Sequence, residues 1–585
     1  MTLKRYILTM LAVSALSMPF AAGTSQAAAN DAAAQAVPAS TADTAVTNDA
    51  QGTSTVIAKA KTGHAAARQK TYSLKFDKNA YTKETLKLNG EDVAFRAYRN
   101  IVYVSKPVSV EAESMSIFIP EAYFKDGGTV NGYTKKTAPI FLPNGVGGYM
   151  PGEIKEPSAN DRMSGGANAS LVALSKGYVV AAPAVRGRTT AGTDGVTYVG
   201  KAPALIVDYK AAVRYLRHNK GRLPAGDTGK LISDGTSAGG ALSALLGATG
   251  NSRDYEADLK AIGAARERDD IFASQAYCPI TDLDHADMAY EWMFNGVDEA
   301  YQSSGAMMPR MNPAAGAILP DAEDKLPMMG AESAAGTGDD AAVTDRPDNA
   351  PTEIATAVPL TDAQKVASRQ LKALYPAYIN SLNLKDADGQ ALTLEKDGTG
   401  SFADYIKSVY AASAQTALDA GEDLSGLDWL TIEDGKVVAV DLTKYAPWAT
   451  RLKATPAFDK FDLSSGENDE FGTTANAPRH FTGFSLTRST QPGTRLAPWE
   501  DIKRMNPLYY IGQKGVKVAP HWRIRHGAKD RDTCLAVPAV LALKLQDTGY
   551  DVNFSSPWGK GHAGDYDLAE LFAWADHICK ASSKK

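Results

Sequence analysis

Cysteine is scarce in this sequence, which has three such residues in 585: Cys278, Cys534 and Cys579. An odd number of thiols leaves at least one outside any intramolecular disulfide, so one disulfide at most can form. Chain topology favours Cys534 and Cys579 as that pair. The equal alternative is that all three behave as small buried hydrophobic residues.

An excess of basic residues is also absent. The chain has 62 Lys and Arg residues against 67 Asp and Glu residues, a net charge of −5 and a pI near 6.0. Since nucleic-acid-binding domains usually carry a basic patch and a high pI, this balance gives no electrostatic footprint for nucleic acid. Hydrophobic residues make up 44% and charged residues 22%, as in an ordinary globular protein.

Long hydrophobic runs are absent beyond the N-terminus, so no transmembrane segment is predicted in the rest of the chain. At the N-terminus, Lys4 and Arg5 precede an apolar stretch at 7–22 and the small-x-small sequence Ser-Gln-Ala at 25–27. This order predicts a signal peptide over 1–27 and a periplasmic or secreted mature protein. A membrane anchor is the alternative, but Ser, Pro and Gly interrupt the apolar stretch, and no nearby cysteine offers a lipid attachment point.

Alternating strand-like and helix-like segments predict an α/β fold with a mostly parallel sheet flanked by helices. The strand candidates are short apolar runs at 101–104, 116–119, 139–142, 178–182, 230–234, 273–280, 516–525 and 551–555. The helix candidates lie at 167–176, 202–219, 362–382, 402–420, 538–548 and 568–580.

The alternation stops in the middle of the chain, where a tract rich in Ala, Gly, Asp and Pro occupies 313–359. A structureless loop of that length inside a core sheet is improbable, so an inserted lid is the better interpretation. The predicted organisation is a signal peptide at 1–27, a disordered leader at 28–69, a core at 70–283, a lid at 284–503 and the rest of the core at 504–585. The sequence Lys-Asp-Ala-Asp-Gly at 385–389 predicts a hairpin turn, because it lacks the remaining ligands of a calcium loop.

Residues 235–239 read Gly-Thr-Ser-Ala-Gly, between the strand candidate 230–234 and a helix-like run of small residues at 238–246. A G-x-S-x-G sequence between a strand and a helix is typical of a nucleophile elbow, a strained turn that exposes the serine hydroxyl. The sequence therefore predicts Ser237 as a nucleophile.

A serine nucleophile needs a base within hydrogen-bond reach and an acid that orients the base. In the chain order of α/β-hydrolases, the acid follows a late strand and the histidine follows the last one. Asp530 and His562 fit these positions, with Asp532 as the alternative acid and His526 as the rival base. His526 lies too near the acid and on the wrong loop, and the six remaining histidines have no comparable position.

The oxyanion hole should use the amide of the residue after the nucleophile, Ala238, and a second amide from a glycine-rich loop. That loop follows the third strand candidate and reads Pro-Asn-Gly-Val-Gly-Gly-Tyr at 143–149. Gly147 is the favoured second donor, and Val146 is the next candidate.

Four segments together resemble the bacterial tannases, or tannin acyl hydrolases: 143–151, 234–240, 521–533 and 557–567. The resemblance covers roughly 70–290 and 445–585. Its most specific part is the run His-Trp-Arg-Ile-Arg-His-Gly-Ala-Lys-Asp-Arg-Asp-Thr at 521–533, since the elbow alone fits any α/β-hydrolase.

The resemblance implies hydrolysis of galloyl esters to gallic acid and an alcohol, without cofactor or metal. It also implies that Lys453, Glu467 and Asp532 contact the ring hydroxyls. The chemistry is reasonable, because phenolic hydroxyls donate to carboxylates and an unpaired buried donor costs about 1–3 kcal/mol. The register around Glu467 is open, since Asn468, Asp469 and Glu470 follow it directly.

The sequence departs from the fungal-type tannases and feruloyl esterases, which carry bridged cysteines beside the serine and the histidine. Here those neighbours are Thr236 and Gly561, which weakens kinship with that group. The alternatives to a tannase are a feruloyl or other aryl esterase of the same fold, a serine peptidase, and a non-catalytic binding module. The intact Ser237, Asp530 and His562 argue against the last of these.

Overall fold

A computed structural model describes residues 71–161, 166–302 and 356–582. The predicted signal peptide at 1–27, the predicted leader at 28–69 and residues 313–355 of the predicted low-complexity tract lie outside these ranges. No helix within the described ranges combines the length and hydropathy needed to cross a bilayer.

The described residues form strands and helices in alternation through most of the chain. The strands are β1 (Thr82–Leu88), β2 (Glu91–Val102), β3 (Ser114–Pro120), β4 (Thr129–Val130), β5 (Tyr133–Thr134), β6 (Pro139–Pro143), β7 (Val179–Pro183), β8 (Asp227–Asp234), β9 (Ala273–Tyr277), β10 (Glu299–Gln302), β11 (Thr356–Pro359), β12 (Leu430–Glu433), β13 (Lys436–Val440), β14 (His521–Arg525) and β15 (Asp551–Ser555).

The helices are α1 (Ala169–Ser175), α2 (Ala204–His218), α3 (Ala238–Ala248), α4 (Glu256–Ala261), α5 (Leu283–Phe294), α6 (Asp362–Ser381), α7 (Ser401–Asp419), α8 (Leu442–Ala449), α9 (Gly466–Glu470), α10 (Gly483–Leu486), α11 (Trp499–Arg504), α12 (Ala536–Asp547) and α13 (Leu568–Ala581). Three short 3₁₀ helices lie at Glu121–Phe124, Arg253–Tyr255 and Pro507–Tyr509.

Nine strands form one sheet in the order β1-β2-β3-β7-β6-β8-β9-β14-β15. The six strands from β7 to β15 are parallel, whereas β1, β2 and β3 pair antiparallel at one edge. Every residue of β3, β6, β7 and β9 is buried, as expected for central strands that helices cover on both faces. The predicted α/β fold with a mostly parallel sheet is confirmed.

The edge of the sheet differs from the prediction. The apolar run at 101–104 is only the end of the twelve-residue β2, and β1 was not predicted. Both strands expose one face, so their apolar residues alternate with charged ones and form no continuous run. At the other side of the sheet, the predicted strand 516–525 begins only at His521, since the preceding Pro520 has no amide hydrogen for a ladder.

Between β9 and β14 the chain leaves the large sheet. In the described part of this stretch lie α5 to α11 and two antiparallel strand pairs, β10 with β11 and β12 with β13, and neither pair joins the nine-stranded sheet. The predicted low-complexity tract ends earlier than expected, because Thr356–Pro359 forms β11. Residues 385–389 form the predicted hairpin turn, in which the Gly389 amide donates to the Asp386 carbonyl at 3.1 Å.

The three cysteines are buried and no disulfide joins them in the described structure. The predicted Cys534–Cys579 pairing is therefore wrong. Cys534 precedes α12 and Cys579 lies on α13, and both side chains belong to the hydrophobic core. Their role is the packing of small apolar groups, which was the alternative interpretation.

Candidate active site

Ser237 lies on a sharp turn between β8, which ends at Asp234, and α3, which begins at Ala238. Its backbone has φ 62° and ψ −124°, a conformation that L-residues rarely adopt and that is typical of a nucleophile elbow. The turn needs small neighbours. A Cβ atom on Gly235 would lie 2.3 Å from the Gly239 carbonyl oxygen, and one on Gly239 would lie 2.6 Å from that of Val146.

Ser237, His562 and Asp530 form one hydrogen-bonded line. The distance from Ser237 Oγ to His562 Nε2 is 2.8 Å, and His562 Nδ1 lies 2.8 Å from Asp530 Oδ2. The carboxylate can only accept, so Nδ1 carries the proton and Nε2 is free to accept from the serine hydroxyl. The structure thus brings together the three residues that the sequence predicts as nucleophile, base and acid.

Two loops at the carboxyl ends of neighbouring strands hold the base and the acid. Asp530 follows β14 and His562 follows β15, which pairs parallel with β14. The Lys529 amide donates to the Lys560 carbonyl at 2.9 Å, and Asp530 Oδ1 accepts from the Asp532 amide at 2.9 Å. These bonds fix the acid relative to the histidine loop.

The electrostatics of the line favour a charged acid. Burial alone would raise the pKa of Asp530, but His562, His526 and the hydrogen bonds to the carboxylate lower it to about 2. Burial would also lower the pKa of His562, but Asp530, Cys278 and Asp532 together raise it well above its ordinary value. The charged form of His562 is therefore stabilised by its neighbours.

His526, the rival base, lies on the other side of the acid. Its Nε2 is 3.4 Å from Asp530 Oδ2, and its side chain is fully buried. Burial lowers the pKa of His526, so this ring stays neutral at neutral pH. It packs against the acid, whereas Ser237 bonds to His562.

The glycine-rich loop after β6 is tied to the elbow by Asn144. The Asn144 amide group donates to the carbonyls of Asp234 at 2.8 Å and Gly239 at 3.0 Å. Its Oδ1 accepts from the Val146 amide at 3.2 Å, which uses the donor of the second oxyanion candidate. The amides of Gly147 and Ala238 make no hydrogen bond within the described residues, so these two remain available to an oxyanion.

Of the three residues implied by the resemblance, Asp532 and Lys453 lie next to this line, and Glu467 is close enough to act on the charge of Lys453. Lys453 Nζ lies 2.9 Å from Asp532 Oδ2, and that oxygen is 3.6 Å from His562 Nε2. Burial lowers the pKa of Lys453, but Asp532 and Glu467 raise it overall, so Lys453 keeps its charge. Glu467 is buried on α9, and its carboxylate makes no hydrogen bond within the described part of the chain.

Helix α5 holds the segment that carries Lys453. The Arg451 guanidinium bonds to Glu291 at 2.6 Å, and both side chains have no exposed surface. Asp287, one turn earlier on α5, accepts from the amides of Phe458 at 2.8 Å and Asp459 at 3.0 Å. Carboxylates of α5 thus hold the chain both before and after Lys453.

Sequence reasoning missed Arg188. Its Nε donates to the Gly148 carbonyl at 2.9 Å, and its Nη1 lies 2.8 Å from Asp469 Oδ2 on α9. Lys201 binds the other oxygen of Asp469 at 2.6 Å. Arg188 therefore connects the glycine-rich loop at 143–149, here called the oxyanion loop, to the helix that carries Glu467. No local signal marks it, because Arg188 and Asp469 are far apart in the sequence.

Cys278 is a second neighbour that sequence reasoning did not assign to the site. Its Sγ donates to the Ala563 carbonyl at 3.4 Å, beside His562. Its position directly after β9 was the available signal. Because β9 is parallel to β8, both strands end at the edge of the sheet where the elbow lies.

Two groups of side chains have the ligand types of a metal site. In Cys278, Asp530 and His562, the candidate ligand atoms lie within 4.8 Å of one another. Both ring nitrogens of His562 already have hydrogen-bond partners, Asp530 at Nδ1 and Ser237 at Nε2. The second group is Asp282, Asp284 and His285, where Tyr378, Asn506 and Tyr509 already donate to the carboxylates.

The nine-stranded sheet, the elbow after β8 and the chain order of Ser237, Asp530 and His562 define an α/β-hydrolase. In agreement, residues 147–308 match the BD-FAE family model. No curated protein matches the chain.

Solved tannase structures are similar to the chain over most of its length. The Fusobacterium nucleatum tannase is 45% identical, with a TM-score of 0.77, over 87% of this chain and 100% of that chain. The tannin acyl hydrolase from Lactobacillus plantarum is 41% identical, with a TM-score of 0.74, over 86% and 99%. A tannin acyl hydrolase in complex with ethyl gallate has the same values. The chain belongs to the bacterial tannases and is a tannase-type ester hydrolase.

Proposed function

We propose that the protein hydrolyses galloyl esters through an acyl-enzyme, with Ser237 as the nucleophile. The observation that carries the proposal is the continuous line from Asp530 through His562 to Ser237, with 2.8 Å at each step. His562 Nε2 takes the hydroxyl proton as Ser237 Oγ attacks the ester carbonyl carbon. Asp530 orients the ring and stabilises the imidazolium, for which its low pKa is suited.

The tetrahedral intermediate carries its negative charge on the former carbonyl oxygen. The amides of Ala238 and Gly147 stabilise that charge, in a loop fixed by Asn144. The intermediate collapses when the bond to the alcohol oxygen breaks and His562 returns the proton to the leaving alcohol. Water, activated by His562 in the same way, then attacks the acyl carbon and releases the acid and Ser237.

Selectivity for a trihydroxyphenyl ring would come from Lys453, Glu467 and Asp532. The two carboxylates accept from ring hydroxyls, and the ammonium donates to a hydroxyl oxygen. Asp532 is close enough to His562, at 3.6 Å, to meet a ring whose ester carbon lies at Ser237. A ring without hydroxyls would leave these charged groups unpaired, so the site would discriminate against it. Solved complexes of tannin acyl hydrolases with ethyl gallate and with 3,4-dihydroxybenzoate support a phenolic substrate.

The test measures kcat/KM for methyl gallate, methyl ferulate and methyl benzoate with the purified protein and a Ser237→Ala control. We expect strong hydrolysis of methyl gallate, weak hydrolysis of the other two esters and loss of all activity in the control. Similar turnover of the three esters would retain the serine mechanism and reject the three ring contacts. Hydrolysis that survives in Ser237→Ala would reject the nucleophile.

Export is part of the proposal, on the basis of the N-terminal charge, apolar stretch and cleavage sequence within residues 1–27. N-terminal sequencing of the protein secreted by its host should begin after Ala27. A mature protein that begins at Met1 would reject export by this signal.

A further inference from the structure

A cavity of about 380 Å³ opens beside Ser237 and His562. Ser237, His562 and Gly147 form its end at the reaction centre. Lys453, Glu467 and Asp532 are not among the residues that line it. The reaction centre is therefore flanked by two separate polar regions.

The wall of this cavity carries ionisable groups that the proposed mechanism does not use. Asp234, Asp565 and Lys155 line it. Asp234 is 4% exposed, and its Oδ1 has no hydrogen-bond partner among the described residues. An unpaired buried carboxyl oxygen is costly, so it indicates a group from outside the chain that fills the cavity and bonds to it.

The charges suit an uncharged ligand with many hydroxyls. Burial, together with Asp565, raises the pKa of Asp234 well above its ordinary value. Burial raises the pKa of Asp565 to about 6, against the opposing effect of Lys155. The wall thus combines the carboxyl groups of Asp234 and Asp565 with the amino group of Lys155, and together these groups can donate and accept hydrogen bonds. Alcohol hydroxyls are also both donors and acceptors.

The reaction itself assigns the two regions to the two halves of the ester. The alcohol oxygen must meet His562 Nε2 to receive its proton, while the acyl ring extends towards Asp532. The cavity adjoins Ser237 and His562 and includes none of the three proposed ring residues, which leaves it for the body of the alcohol.

We propose that this cavity is a subsite for the alcohol part of the substrate and selects polyhydroxylated alcohols, such as a hexose, over simple alkyl alcohols. The proposal rests on the proposed function, because it assumes galloyl transfer at Ser237. Asp234, Asp565 and Lys155 act as specificity residues for the polyol.

The test compares kcat/KM for a galloyl hexose monoester with that for methyl gallate, in the wild type and in Asp565→Asn and Lys155→Met. We expect the wild type to favour the hexose ester, and each variant to lower kcat/KM for that ester roughly tenfold while methyl gallate hydrolysis is unchanged. Lys176→Met is the matched control, because Lys176 is an exposed lysine at the C-terminal end of α1. It should change neither value.

If Lys155→Met lowered kcat/KM for both esters by the same factor, with an unchanged melting temperature, the subsite would be overturned. The subsite would also be overturned if the wild type hydrolysed both esters equally and the variants left the ratio of the two kcat/KM values unchanged. The cavity would then hold only water. Failure of the wild type to hydrolyse methyl gallate would instead reject the proposed function, and the subsite with it.

Discussion

Asp530 and Asp532 are separated by one residue, yet their carboxylates take different partners. Asp530 Oδ2 accepts from His562 Nδ1 at 2.8 Å, whereas Asp532 Oδ2 pairs with Lys453 at 2.9 Å. One short loop therefore supplies one carboxylate to His562, the proposed base, and the other to the proposed ring pocket.

This division predicts different kinetic effects for the two aspartates. Asp530→Asn should lower kcat about 10⁴-fold for methyl gallate and for methyl benzoate alike, since the neutral amide can hold His562 in the wrong tautomer and no longer stabilises the imidazolium. Asp532→Asn should lower kcat/KM for methyl gallate roughly 10- to 100-fold and leave methyl benzoate unchanged. Steady-state kinetics at pH 8.5 would check both, and equal losses on the two esters in Asp532→Asn would contradict a ring contact.

The pH dependence of kcat/KM should report the charge of Asp532. His562 must be neutral to accept a proton, and the nearby carboxylates raise its pKa above the ordinary 6.5. The acid limb of the wild type should therefore lie above pH 6.5. Removal of one negative charge in Asp532→Asn destabilises the imidazolium, so the limb should move to lower pH.

The matched control for this experiment is Asp404→Asn, whose carboxylate is exposed on α7. Its acid limb should coincide with that of the wild type. An unmoved limb in Asp532→Asn, or one moved to higher pH, would show that Asp532 does not act on the charge of His562.

Arg188 is predicted to position two parts of the site. Arg188→Met removes the bonds to the Gly148 carbonyl and to Asp469, so the oxyanion loop and α9 should lose their fixed spacing. We expect kcat/KM for methyl gallate to fall roughly tenfold, which corresponds to about 1.4 kcal/mol. Selectivity over methyl benzoate should fall with it.

Arg222→Met, at an exposed arginine away from the site, is the control for this substitution and should behave as the wild type. A melting temperature measured for both variants separates positioning from unfolding. Full activity of Arg188→Met with intact selectivity would contradict the positioning role.

The buried pair of Arg451 and Glu291 should matter for stability. Glu291→Gln leaves a guanidinium without its counter-ion at a position with no exposed surface, which typically costs about 3–5 kcal/mol. The exposed pair of Lys407 and Asp404 provides the comparison, because Asp404→Asn should cost about 1 kcal/mol or less. Thermal unfolding of both variants is the measurement, and equal melting temperatures would contradict the account.

Local sequence and strand order together predict the catalytic line. The elbow at 235–239 is a local motif, and Asp530 and His562 each follow a strand candidate late in the chain. Because parallel strands end at one edge of the sheet, these loops must meet there, and the observed β14–β15 pairing brings them together. The α/β fold followed from the same alternation.

The contacts around that line could not be predicted in the same way. The bond from Arg188 to Asp469 joins segments 281 positions apart, and no periodicity links them. The choice of Gly147 over Val146 as the second oxyanion donor depended on the Asn144 side chain. Its bond to the Val146 amide exists only in the observed side-chain conformation, which the sequence does not specify. The cysteine pairing failed because burial in a core and proximity to another thiol leave the same sequence pattern. The lid boundaries at 284 and 503 stay a prediction.

Ser237 is proposed to be the nucleophile and to lie beside a pocket for a hydroxylated ring. A fluorophosphonate that labels activated serines tests both parts in one measurement, when the labelled residue is located by peptide mass spectrometry. We predict labelling of Ser237 that gallate suppresses and that benzoate at the same concentration does not. Labelling at another serine, or equal protection by gallate and benzoate, would contradict the account.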